Sequence, residues 1–97
     1  MIRSFADAAT LDLYDGRDSK VARRRVAKDL WHVVRRRLDA LNAASNLQDL
    51  GAVPGTRLEA LKGDQRGRNS IRMNDQYRIT FRFEHGHAYD VQCEDYH

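Results

Sequence analysis

Two periods divide the chain. In "SKVARRRVAKDLWHVVRRRLDAL" the apolar residues Val26, Leu30, Val34, Leu38 and Leu41 recur three or four apart, the spacing that lines one face of a helix. This stretch predicts a single amphipathic helix with Ser19 as its N-cap, following a turn at Gly16. Arg24, Lys28 and Arg35 then lie on the outer face, with Trp31 beside them. Upstream, "MIRSF" reads as a short strand and "DAATLDLYDG" as a short helix capped by Asp7 and ended by Gly16. Downstream, "LQDLGAVPG" reads as a connection punctuated by Gly51, Pro54 and Gly55.

From Arg57 onward the period becomes two. "RLEAL", "NSIRM", "YRITFRF" and "AYDVQCEDY" read as strands, with "KGDQRG" as a polar loop. Ile71 and Met73, then Tyr77, Ile79, Phe81 and Phe83, then Tyr89, Val91 and Cys93 supply an apolar face. An antiparallel meander places all three sets on one side only if each hairpin loop holds an odd number of residues, and residues 74–76 and 85–87 meet that count. In this register Phe83 faces Tyr89, Phe81 faces Val91 and Ile79 faces Cys93. On the other face Arg82 falls opposite Asp90, Thr80 opposite Gln92 and Arg78 opposite Glu94, with Arg72 and Tyr96 on the same side.

Helical and then alternating patterns predict an α+β fold, with two N-terminal helices on one face of a small, mainly antiparallel sheet. The uncovered face is then lined with arginine, and the C-terminus lies at its rim. At 97 residues the chain fits one domain, residues 1–97, with one modest core. Apolar residues make up 41% of it, too many for a disordered tail. No apolar run approaches the roughly 18 residues of a spanning helix, and the start lacks a secretion signal's apolar stretch. A cytoplasmic protein is the expectation.

The formal charge of +3 is unevenly spread. Between residues 20 and 37 stand Lys20, Lys28 and six arginines against Asp29 alone; residues 57–82 hold Lys62 and six arginines against three carboxylates. Arginine's planar fork suits phosphate, so two such blocks on a small domain point to a polyanionic partner, most simply nucleic acid. A solvated helix face accounts equally well for the first block. Cys93, the only cysteine, permits no internal disulfide and reads as a small buried hydrophobe. "HGH" at residues 85–87 reads as a turn, and no metal or other cofactor is expected.

The chain closes on "CEDYH", a run of proton-handling side chains. Together with "RLEALKGDQRGRNSIRMNDQYRITFRF" this terminus resembles the HigB branch of the RelE superfamily, bacterial toxins of toxin-antitoxin pairs. "LKGD", "SIR", "NDQYRI" and "DYH" occur in family order and spacing, and the first half matches too, so the resemblance covers essentially the whole chain. It implies two helices on a curved sheet, the RelE-like fold.

The resemblance further implies an endoribonuclease that cuts messenger RNA in the ribosomal A site and so inhibits translation and growth. In that chemistry the ribose 2′-hydroxyl attacks the adjacent phosphate, which requires a base, cations and an acid. On the matching positions, His97 transfers the proton at the leaving oxygen, Asp95 orients or charges it, and Tyr96 stacks on a displaced base. Lys62 and Arg78 hold the scissile phosphate, and Gln76 falls where some relatives touch RNA. Glu59 stands where some relatives carry histidine, so the carboxylate acts as base, acts structurally, or marks a weaker enzyme. Arg68, Arg72 and Arg82 complete the expected RNA-binding set. The implied partners are mRNA on the ribosome, with ribosomal RNA against the basic blocks, and a HigA-like helix-turn-helix antitoxin. The alternative is a non-catalytic RNA- or DNA-binding module acting with such a partner.

Overall fold

The computed structural model describes residues 1–95. The expected "MIRSF" strand forms two isolated parallel bridges, Ile2 to Ala88 and Phe5 to Val91. Helix α1 spans Ala8–Asp15: Asp7 accepts from the Thr10 amide at its start, and Gly16 closes it at φ 74°, a left-handed position that glycine takes without a Cβ penalty.

The long helix expected from Ser19 onward is broken in two. Ser19 caps α2 (Lys20–Arg25), but Val26 turns extended, and a 3₁₀ turn at Lys28–Leu30 leads into α3 (Trp31–Ala43). The break has a local cause. Val26 is buried, and its carbonyl accepts from the Trp31 indole Nε1 at 2.8 Å instead of from a helical amide. Trp31 is therefore a core residue, 7% exposed, while its ring still lies beside the basic face, 5.9 Å from Lys28 Nζ. Arg24, Lys28 and Arg35 do lie outside. Part of the block is neutralised, because Asp18 pairs with both Arg23 and Lys28.

Val34, Leu38 and Leu41 along α3 are fully buried, and each contributes roughly 1.5–3 kcal/mol of transfer free energy. A second departure follows α3, where the expected connection contains one more helix, α4 (Leu47–Gly51), capped by Asn46.

The sheet runs β1 (Glu59–Ala60), β2 (Asn69–Arg72), β3 (Tyr77–Glu84) and β4 (His87–Asp95) in that order, every pair antiparallel. Helices cover one face, where Ile71, Ile79, Phe81, Val91 and Cys93 are fully buried. The three-residue loop 74–76 occurs as expected: the Asn74 side chain accepts from the Gln76 and Tyr77 amides.

The second hairpin reaches the right faces by another route. Its turn holds two residues, His85 and Gly86, both at positive φ, which a type I′ turn requires. An even loop would invert β4, but a bulge opposite the Thr80–Arg82 step, with Asp90 at φ 52°, restores the phase. Ile79–Cys93, Thr80–Gln92 and Arg78–Glu94 pair as expected, whereas Arg82 lies opposite Tyr89 and Phe83 opposite Ala88. Ala88 therefore enters the core, and Tyr89 moves to the open face, 4.9 Å from the Arg82 guanidinium.

Candidate active site

The open face is built from rows that the register aligns. Arg72 pairs with Arg78, and Arg78 with Glu94; one row along, Glu59 pairs with Ser70, Ser70 with Thr80 and Thr80 with Gln92. Beside the Glu59–Ser70 pair of β1 and β2, a cleft of about 230 Å³ opens, lined by Arg57, Glu59, Ser70, Arg72 and Arg78. Among the described residues, three arginines and one glutamate thus contribute to the lining of this cleft.

Each arginine is set differently. Arg78 donates from Nε to Glu94 Oε1 at 2.8 Å, with both side chains less than a quarter exposed. Arg72 donates from Nε to the Asn74 carbonyl at 3.1 Å and pairs with Asp75 through Nη2. Arg57 makes no side-chain hydrogen bond or ion pair among the described residues. Its φ of 44° is a left-handed conformation uncommon outside glycine. Sequence reasoning missed Arg57, because an arginine before an alternating run carries no mark of its backbone angle.

The remaining expected residues are distributed around this cleft. Lys62 is exposed at the start of a 3₁₀ turn, Gly63–Gln65, and does not belong to the lining. Arg68 spans the sheet, donating to Thr80 Oγ1 at 3.0 Å and to the Asp90 carbonyl at 2.8 Å. Arg82 stands further along, paired with Glu84 at 2.8 Å and reaching Asp90 at 3.5 Å. The hydrogen bond to Glu84, more than offsetting partial desolvation, raises its pKa. Gln76 donates to Asp95 Oδ2 at 3.0 Å at the end of β4. Tyr96 and His97 lie outside the described residues.

Behind the sheet a second polar cluster fixes the same strand. Beyond Phe5 the outer edge of β4 has no neighbouring strand among the described residues, and there Cys93 donates its amide to Thr10 Oγ1 at 3.0 Å while its carbonyl accepts from Arg25 Nη1 at 2.8 Å. Arg25 also pairs with Asp7 at 2.8 Å. Burial pushes the Asp7 carboxyl up, but hydrogen bonds from Thr10 and Arg25 outweigh it and leave the pKa lowered.

Solved structures of the same shape define the class. The fold covers 100% of this chain and 98% of a chain of the YoeB-YefM complex from Staphylococcus aureus, with a TM-score of 0.61 at 16% identity. It covers 98% of this chain and 99% of the YoeB/ParE toxin from Agrobacterium tumefaciens, with a TM-score of 0.60 at 17% identity. At such identities the likeness is one of fold, the RelE-like α+β toxin fold that the sequence resemblance implied.

The family is narrower than the fold. A family model described as the RelE-like toxin of type II toxin-antitoxin system HigB matches residues 3–97, and the chain belongs to this HigB-like toxin family. It is 35% identical over 71 residues to Toxin HigB-1 of Vibrio cholerae, covering 73% of this chain and 75% of that protein. It is 41% identical over 61 residues to Endoribonuclease HigB of Proteus vulgaris, covering 63% of this chain and 65% of that protein.

Proposed function

We propose that this chain is an endoribonuclease toxin that cuts messenger RNA held in the ribosomal A site. The observation that carries the proposal is the cleft lined by Arg57, Glu59, Arg72 and Arg78, in a chain of the HigB-like toxin family with a relative named as an endoribonuclease.

The chemistry follows from those groups. Glu59 takes the proton of the ribose 2′-hydroxyl, whose oxygen bonds to the adjacent phosphorus. Negative charge then grows on the phosphate oxygens, where fixed guanidinium groups stabilise it more than they stabilise the ground state. The bond from phosphorus to the 5′-oxygen breaks, and His97 protonates that oxygen, leaving a cyclic phosphate and a free 5′-hydroxyl. Histidine suits this step because it titrates near neutrality. Asp95 orients it, Tyr96 stacks on a displaced base, and Lys62 adds a cation from the neighbouring loop. Arg68, Arg82 and Gln76 bind flanking RNA, and the basic helices meet ribosomal RNA. A HigA-like antitoxin with a helix-turn-helix domain neutralises the toxin.

Primer extension on a translated message, with and without ribosomes, tests this function. New ends that require ribosomes and fall by about 100- to 10,000-fold with His97→Ala support it. Binding without new ends selects the non-catalytic module, and cuts of bare RNA at equal rate refute the ribosome requirement.

A further inference from the structure

We propose that Arg57 is a further substrate-binding residue: its guanidinium takes a non-bridging oxygen of the bound phosphodiester and offsets the repulsion between that phosphate and Glu59. The proposal rests on the RNA-cleaving function above and adds a residue to the same cleft.

Three observations converge on Arg57. The first is charge. Of the three arginines in the lining, Arg72 is paired with Asp75 and Arg78 with Glu94. Counted among the described residues, with those partners and with Glu59, the cleft is neutral, and Arg57 supplies the cation that balances Glu59. Without it a phosphate would meet a site of net negative charge.

The second is accessibility: Arg57 is exposed and its side chain makes no hydrogen bond among the described residues. Its donors are available to a ligand without first breaking an internal pair. The third is backbone. Arg57 follows Thr56, which is buried and donates its hydroxyl to the Leu50 and Val53 carbonyls, each at 2.9 Å. The Thr56 carbonyl in turn accepts from the Arg72 amide at 2.5 Å. That anchorage holds Arg57 at φ 44°, and unfavourable backbone angles persist where surrounding structure over-determines them, often at functional sites.

The test uses ribosomes programmed with a message carrying a 2′-deoxyribose at the cut site, so that binding is measured without cleavage. Arg57→Gly removes the guanidinium and also relieves the positive φ, so the variant folds at least as well as the parent. The expected result is binding about 10- to 100-fold weaker, the scale of one charged hydrogen bond, and a salt slope reduced by about 0.7, one single-strand phosphate contact. Arg57→Lys should recover part of the loss. Adding Glu59→Gln to Arg57→Gly should recover more of it by removing the repulsion. Arg17→Gln, the same change of net charge outside the cleft, should bind like wild type.

Wild-type affinity in Arg57→Gly, or an equal loss in Arg17→Gln, would overturn the proposal. If wild-type protein fails to cut an all-ribose message, the enzymatic function is wrong, and the binding comparison still decides the role of Arg57.

Discussion

Arg78 and Glu94 face each other across β3 and β4, Nε to Oε1 at 2.8 Å, and form the inner end of the cationic row. Under the proposed function the pair has opposed consequences for the free and the RNA-bound protein. Glu94→Gln keeps the shape and removes the compensating charge. Since both side chains are only about a fifth exposed, solvent screens the pair weakly, and losing its charge-assisted hydrogen bond should cost about 1–3 kcal/mol. RNA affinity should rise, with a salt slope steeper by about 0.7. Urea denaturation and filter binding read the two effects; weaker binding in Glu94→Gln would contradict the assignment.

Asp7 ties the site to acid stability. Its carboxyl is held below the ordinary value of 3.8, hydrogen bonds from Thr10 and Arg25 outweighing the upward push of burial. A depressed native pKa contributes stability above the unfolded value, and that contribution is lost as pH falls through the native one. Wild type should therefore lose stability between about pH 4 and its acid transition more steeply than Asp7→Asn. Parallel curves for the two proteins would contradict the Asp7–Arg25 linkage.

Trp31 fixes the break between α2 and α3. Trp31→Phe keeps most of the apolar volume but leaves the Val26 carbonyl without the indole donor. An unsatisfied buried acceptor costs about 1–3 kcal/mol, and each kcal/mol corresponds to about 4–8 °C in Tm for a domain of this size. A thermal melt within 2 °C of wild type, on the order of a third of a kcal/mol, would mean that water or helix repair takes the place of the indole.

Cys93 reports on the closure of β4. Its thiol is fully buried, and burial raises its pKa to about 12. Native protein at pH 8 should resist alkylation, with labelling limited by opening of the strand. Arg25→Ala, which removes a donor to the Cys93 carbonyl, should speed labelling while Asp18→Asn on the outer surface should not.

Much of this architecture was legible in the chain. Asp7, Ser19 and Gly16 mark helix ends by local chemistry, and the alternation from Ile71 to Cys93 places most of the sheet core. The β2–β3 loop and the Arg78–Glu94 pairing follow from parity. Parity alone does not distinguish a three-residue loop from a two-residue turn plus a bulge, since both add one residue to the phase. Tyr89 and Ala88 therefore exchanged faces.

The helix break was hidden for a different reason. Val26 and Trp31 fit a continuous apolar stripe, and only the indole-to-carbonyl bond shows that the chain leaves the helix between them. In the cleft, Glu59, Arg72 and Arg78 were legible from family order and sheet register. Arg57 depends on a backbone angle set by the anchorage of Thr56, which no periodicity records.

The most direct test of the cleft is the single-turnover cleavage rate of Arg78→Ala on programmed ribosomes, compared with wild type at matched folded fraction. If Arg78 acts as the proposed function requires, removing its donor should slow cleavage about 100- to 1,000-fold, with residual products still ending in a cyclic phosphate. A rate within about threefold of wild type, less than 1 kcal/mol of barrier, would contradict a phosphodiester held between these arginines.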